Sequence, residues 1–404
     1  MLGHYLCMTQ KIYNRIFMAA LCFLPILGVA APRALSFFPA LIAVTGYVSY
    51  RLMAGRWPEV KTPLWLWLAG IIALMGLGYF WALDPEAVIS RTLKTAPILL
   101  GGVLLVGFAR AQDEVFKAGF RRYFPWAVLI AGALCLIELY TAAPLYQAMR
   151  GTFDQGLDNL SGLNRGVVFL SLCGVTGLSL LQKNNPLTYV LIAVFTAIFY
   201  KTESQSAQLS FLVGLSFYFL FPLHKKFAWT GLAALLSATI LSAPWLAQFL
   251  FGKLAGSAEN IGWLQRSYAA QRLEIWDFIS RRALERPWLG HGVEATRTIT
   301  DFDTARIYYP MSEVLHPHNF ALQVWIESGL LGAVFLCAFL LYLLRVYYQS
   351  GPSVARVSLP VLMACLSAAA TGYGLWQGWW LGCFTALTAL GILIGDQQSH
   401  RRDK

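Results

Sequence analysis

Apolar runs long enough to cross a bilayer recur along almost the whole of this chain, and they leave it few folds to adopt. A spanning helix needs about 17 to 25 mostly apolar residues. Twelve candidate runs lie at 13–31, 34–50, 62–81, 89–108, 124–141, 166–182, 187–200, 207–222, 228–247, 319–344, 357–372 and 374–395. They are continuous and do not alternate as barrel strands would, which argues against a β-barrel. With 57% hydrophobic and 13% charged residues the composition lies outside that of soluble domains. The expected class is an all-α polytopic membrane protein of about 12 transmembrane helices, with one large loop that contains amphipathic helices. Residues 1–247 would carry the first nine helices, 248–318 the large loop, and 319–404 the last three helices and a tail.

Positive charges orient this layout. With the N-terminus inside, 17 of the 31 Lys/Arg fall on the inner side, and the short outer loops hold 6. That bias places both termini in the cytoplasm and residues 248–318 outside. The formal charge of +11 is then largely a topology signal, and nucleic acid is not an expected partner. Six of the seven cysteines fall in predicted spans and Cys7 in the inner tail, so neither a disulfide framework nor a cysteine metal site is expected. The first apolar segment lacks a convincing processing site and reads as an anchor.

The loop at 248–318 gathers 8 of the Lys/Arg and three of the six histidines. Polar groups concentrated beside a membrane bundle are the first place to look for chemistry. Residues 265–286 pattern as a helix, with Leu273, Trp276, Ile279 and Leu284 as its apolar stripe and Pro287 as its stop. Arg272 borders that stripe and lies four residues from Trp276, a position that favours pointing inward towards an anion. His291 stands between two glycines, either as a turn residue or as a functional group. His316 and His318 flank Pro317, so the chain is extended there and one of the two rings would reach a given centre. A histidine at this mouth can exchange a proton with a hydroxyl near neutrality. Asn319 would orient a histidine or cap the next helix. Acidic residues are too sparse around the pair for a zinc site, and no cofactor is expected.

Two further arginines lie at outer helix ends. Arg91, with Lys94, is either a snorkelling anchor or a group that attracts an anionic headgroup or substrate. Arg165, at the start of the sixth run, is either an interface anchor or part of an anion funnel, where its planar fork suits phosphate. No phosphate-binding glycine loop follows a strand, so a reaction at the outer face would need a donor that is already activated.

The runs R-L-x-x-W at 272–276, E-R-P-W-L-G-H-G at 285–292 and H-P-H-N-x-x-L-Q-x-W-x-x-x-G-L-x-G at 316–332 resemble the O-antigen ligase and polymerase family of bacterial inner-membrane glycosyltransferases. The chain is more similar to the ligases, because its other outer loop, 142–165, is short. The resemblance implies a GT-C-like layout and an active site at the periplasmic face. It implies metal-independent, inverting transfer of a glycan from undecaprenyl diphosphate to a hydroxyl of lipid A-core. It also implies His318 and Arg272 as catalytic groups, with Arg165 at the diphosphate; Asn319, His316, Arg91 and Trp276, read from their positions, are the further candidates for substrate binding. Relatives often show Ser-Arg-Gly at the end of the seventh run, where this chain has Thr202-Glu203-Ser204-Gln205 after Lys201. A glycan polymerase, a protein O-oligosaccharyltransferase and, in another class, an amphiphile transporter are the alternatives. The transporter would more often show an internal repeat and broken helices near the midplane.

Overall fold

Proline, glycine and small polar residues cut the apolar sequence into helices, and those cuts decide the architecture. The computed structural model describes residues 2–150, 160–181, 184–299, 307–309, 311 and 313–395. Gly151 and Gly156 of the second outer loop, Lys183, and the tail residues Arg401, Arg402 and Lys404 lie outside them. In chain order the helices are α1 (Leu2–Ala30), α2 (Phe38–Ala54), α3 (Thr62–Leu77), α4 (Pro85–Ala111), α5 (Glu114–Tyr140) and α6 (Pro144–Arg150). Then come α7 (Asn164–Leu180), α8 (Pro186–Lys201), α9 (Gln205–Leu220), α10 (Lys226–Leu241), α11 (Ala243–Asn260) and α12 (Gly262–Arg266). The last are α13 (Ala269–Glu285), α14 (Ala295–Thr298), α15 (Phe320–Gln349), α16 (Pro352–Thr371) and α17 (Gly378–Gly395).

Helix starts follow local chemistry. The side chains of Asp84, Asp113, Asn185 and Asn319 accept hydrogen bonds from the first free N–H groups of α4, α5, α8 and α15. Pro85, Pro186 and Pro352 occupy first positions, where a missing N–H has no consequence.

The expectation of twelve spanning helices, and the GT-C-like layout tied to it, are corrected by the helix lengths. Among the described residues seven helices are long and apolar enough to cross a membrane, or up to eight if α10 and α11 count as one bent span. Every apolar run becomes helical, but α8, α9 and α10 have 16 residues and α2 has 17. At 1.5 Å per residue these reach about 24–26 Å, less than the roughly 30 Å of hydrocarbon. The apolar part of α17, Gly378–Ile394, is no longer than α2. The run at 228–247 fails differently, because the chain bends by 78° between α10 and α11. The result is a multi-spanning all-α membrane protein.

The main core joins α1, α5, α7, α9, α16 and α17 through Phe116, Phe120, Phe124, Phe169 and Trp380, all essentially inaccessible. A second core packs α11, α13 and α15 through Ile275, Phe278, Ile279 and Trp325. This α13 face differs from the stripe expected from sequence. Because α13 lies between α11 and α15, most of its circumference is covered, and Glu274 and Asp277 are buried with the apolar residues. Glu274 accepts the backbone N–H groups of Ile307, Tyr308 and Tyr309 at 2.7, 2.8 and 2.6 Å, so a carboxylate holds the returning chain. Glu138, the ionisable residue in the fifth run, accepts from Leu145 and Tyr146 at 2.9 and 2.8 Å and caps α6.

α15 is broken at Gly329, whose φ of 58° and ψ of −153° only glycine adopts readily. Residues 287–292 brace the break. His291 and Gly292 donate backbone N–H groups to the Ile326 and Glu327 carbonyls at 2.8 and 2.9 Å, and Leu330 donates back to Pro287 at 2.7 Å. The same stretch ties to the α3–α4 link through Leu83 N–H to His291 O at 3.0 Å and Trp81 Nε1–H to Leu289 O at 2.9 Å. One short segment thus holds α4 and the first half of α15 at fixed positions beside α13.

Candidate functional site

The polar groups converge on the link between α16 and α17, residues 371–377, where apolar sequence gives way to backbone carbonyls that need donors. Arg272 of α13 donates from its guanidinium to the Thr371 carbonyl at 2.6 Å. That carbonyl ends α16, where helix carbonyls are unpaired and carry partial negative charge, so a buried cation is favoured there. His318 Nδ1 hydrogen-bonds the next carbonyl, that of Gly372. Arg91 of α4 donates to the Trp376 carbonyl at 3.2 Å. From α15, Gln323 accepts the Leu375 N–H at 2.7 Å, and Glu327 accepts the Trp376 indole N–H.

The His316–Asn319 stretch is held at both ends. Trp276 of α13 donates its indole N–H to the Pro317 carbonyl at 2.8 Å. Asn319 accepts from the Ala321 and Leu322 N–H groups at 3.0 and 3.2 Å and so caps α15. His318 adopts φ 54°, an uncommon left-handed backbone for a non-glycine residue and one found often at functional sites. The His316 and His318 rings meet edge to face with centroids 4.2 Å apart, rather than diverging along an extended strand.

The hydrogen bonds orient both rings. A carbonyl only accepts, so His318 carries a proton on Nδ1, and in the neutral ring Nε2 then presents a lone pair that no described residue engages. Burial, followed by the nearby Arg272 charge, lowers the His318 pKa to about 4, which leaves the ring neutral at pH 7. Gln377 accepts the Trp379 indole N–H at its Oε1, at 2.8 Å, and therefore turns its amide N–H towards His316 Nε2 at 3.2 Å. His316 is then an acceptor at Nε2. Burial, then the His318 and Arg297 neighbours, lower its pKa to about 3.

Arg165 stands on the other side of the link, with its guanidinium 5.9 Å from the centre of the Trp379 ring, a cation–π distance. Tyr373 feels the charge of both arginines. Burial raises its pKa, while Arg165 and Arg272 both pull it down. Arg272, Trp276, His316, His318 and Asn319 are therefore in one cluster, with Arg165 across Tyr373. Arg91 is at the edge, lining a small pocket with His316, Arg297 and Gln377. Lys201 lies apart, over the Tyr140 ring at 5.8 Å. His291 is spent differently, with Nε2 2.8 Å from the Arg282 carbonyl and the ring buried.

Sequence reasoning missed Tyr373, Gln377, Glu327 and Glu294, together with the carbonyls of Thr371 and Gly372. The available signal was T-G-Y-G-L-W-Q-G at 371–378, where glycines interrupt an apolar run. Among the described residues, no group of three or more His, Cys, Asp or Glu side chains could hold a metal ion.

Comparison with known proteins reaches the same part of the chain. The sequence family described as O-antigen ligase matches residues 189–337, which include α13 and the His316–Asn319 stretch. A protein named polysaccharide ligase in Rickettsia conorii is 25% identical over 291 residues, covering 69% of this chain and 68% of the relative. One of the same name in Rickettsia prowazekii is 28% identical over 239 residues, or 57% of each chain. A third, in Rickettsia bellii, is 25% identical over 301 residues and 69% of each. The match thus spans between about half and two thirds of these relatives' length.

Proposed function

The chain belongs to the O-antigen ligase-like family of polysaccharide ligases, and from that premise we propose that it transfers a glycan from undecaprenyl diphosphate to a hydroxyl of a lipid A-core acceptor. The observation that carries the reading is the His318 ring, anchored through Nδ1 to the Gly372 carbonyl with no described residue bonded at Nε2, in the same cluster as the Arg272 guanidinium.

The acceptor oxygen attacks the anomeric carbon from the face opposite the diphosphate. As the new C–O bond forms, its proton passes to His318 Nε2, and the bond to the leaving oxygen breaks with inversion at carbon. The electron pair goes to undecaprenyl diphosphate. Arg272, whose remaining guanidinium N–H groups bond no other described residue, and Arg165 across Tyr373 stabilise the charge that grows there. Two guanidinium groups supply the electrostatic role that a metal ion fills in other phosphate-leaving reactions, so the step needs none. Trp276 and Asn319 act on the base through the backbone, by fixing Pro317 and the start of α15.

In this reading the end of the bundle that carries the site faces the periplasm of a bacterial inner membrane. The interval 248–318 lies on that side, both termini lie in the cytoplasm, and membrane lipids surround the rest. Basic residues at the opposite end support the orientation, with Arg110 in the last turn of α4 and Arg121 and Arg122 early in α5.

The test is transfer by purified protein in detergent, supplied with undecaprenyl-diphosphate glycan and lipid A-core, with EDTA and without nucleotide. A lipopolysaccharide-type product that disappears with His318→Ala supports the ligase. Longer glycan on the undecaprenyl carrier would mean a polymerase instead, and the absence of both products would overturn the reading.

A further inference from the structure

Beyond the groups assigned to the donor, a second cationic cluster lies on the His316 side of the site. The Glu294 carboxylate bridges two arginines, with Arg91 Nε 2.6 Å from one oxygen and Arg297 Nε against the other. The cluster carries one net positive charge. Glu294 is almost inaccessible, whereas Arg297 keeps nearly half of its side-chain surface in solvent. Glu294 also has a left-handed backbone, φ 67°, and its N–H is held 3.2 Å from Glu327 Oε1. A pocket of about 20 Å³ opens here, lined by Arg91, Glu294, Arg297, His316, Gln377 and Trp376 among others. That is room for about one water, so anything larger enters when Arg297 leaves the carboxylate.

We propose that Arg91 and Arg297 form a binding site for an anionic group, a phosphate or a carboxylate, on the sugar acceptor, and that Glu294 occupies these arginines until the acceptor arrives. The proposal rests on the ligase reading and deepens it. In an inverting displacement the nucleophile and the leaving group lie on opposite faces of the reacting carbon, so the two substrates need separate sites around the base. Arg272 and Arg165 flank Tyr373, while Arg91 and Arg297 line the pocket at His316 and do not contact the α16 end carbonyls. His316 is in contact with the His318 ring, which places this pocket one side chain from the proposed base. Paired guanidinium groups, amide donors and a limited volume suit the oxygens of a charged sugar substituent.

The exchange of partners gives opposite signs for two substitutions. Arg297→Gln removes one arm of the site, and acceptor KM should rise about tenfold while donor KM stays unchanged. Glu294→Gln keeps the shape but releases the arginines, and acceptor KM should fall. A purely structural ion-pair network would make both variants worse and would affect donor and acceptor alike. Steady-state transfer by the full-length protein in detergent reads these constants with three acceptors: lipid A-core, the same molecule stripped of phosphate, and the same molecule with its carboxylates reduced. Support is a higher KM for one modified acceptor on the unmodified protein, with no further rise in Arg297→Gln; the acceptor affected identifies the anion. Unchanged acceptor KM in Arg297→Gln, or a loss in Glu294→Gln shared by both substrates, overturns the proposal and leaves the ligase reading intact. If the unmodified protein transfers to none of the three, the ligase reading falls and this inference with it.

Discussion

His291 and His318 occupy two similar stretches, each a histidine in a tight path with left-handed backbone beside or at the ring, yet they reach different chemical states. Gly290 and Gly292 carry φ values of 67° and 92°, and the ring between them gives its Nε2 to the Arg282 carbonyl. Its other nitrogen is buried with no partner among the described residues, and burial lowers its pKa. The stretch acts as a strut, with its backbone N–H groups bound to the broken turn of α15. His318 takes the left-handed conformation itself, commits Nδ1 to Gly372, and keeps Nε2 unengaged by any described residue. The difference lies in which ring nitrogen the surroundings occupy, and it leaves His318, not His291, with a nitrogen available for the proposed role as base.

The largest contrast should come from removing each ring in turn. His318→Ala should lower transfer by about 10²- to 10⁴-fold with the folded yield retained. His291→Ala should destabilise the protein by about 1–3 kcal/mol and leave transfer per folded molecule within about threefold. Thermal unfolding in detergent and the transfer rate separate the two. Similar losses of rate for both variants would erase the distinction.

Next in size is the strut itself. A Cβ at Gly290 would sit 2.5 Å from the Glu327 carbonyl carbon, and the positive φ adds strain. Gly290→Ala should therefore cost about 3 kcal/mol or more of stability, seen as a lower Tm and less monodisperse protein. Arg272→Lys comes third. It keeps the charge and loses the fork that spans the Thr371 carbonyl and a substrate oxygen, so transfer should fall by about 10²-fold with donor affinity also reduced.

A smaller effect lies in the pH profile. If the neutral form of His318 is the active one, as proposed, transfer should be present above its pKa and lost as pH falls through about 4. The acid limb of kcat/KM, which reports the free enzyme, should lie near that value and well below the ordinary histidine value of about 6.5. Bound diphosphate favours the imidazolium, so the limb of kcat should lie at higher pH than that of kcat/KM.

The polar interval beside the membrane, and the proximity of Arg272, Trp276 and His318 within it, were legible because charge contrasts sharply with the surrounding apolar sequence. The helix count was not. Hydropathy registers apolarity but not the 78° bend between α10 and α11, nor the turns that leave α8 and α9 at 16 residues. The α16–α17 link was hidden for a related reason. Its apolar letters merged with the flanking runs, while its contribution comes from the Thr371, Gly372 and Trp376 carbonyls, and every residue type has a carbonyl. Glu274 is one of several acids on a helix rich in charge. Its burial follows from α11 and α15 enclosing α13, a tertiary fact with no local signature.

Whether His318 is neutral, reachable at Nε2 and required is read by histidine acylation. Diethyl pyrocarbonate reacts with the free nitrogen of neutral imidazole, and peptide mass spectrometry of the full-length protein at pH 6 reports the modification at each ring. His318 should be acylated while His291 stays unmodified, transfer should be lost in proportion, and undecaprenyl-diphosphate glycan should protect both the ring and the activity. Acylation of His291 before His318, or full modification of His318 with transfer intact, would contradict the proposed role of His318.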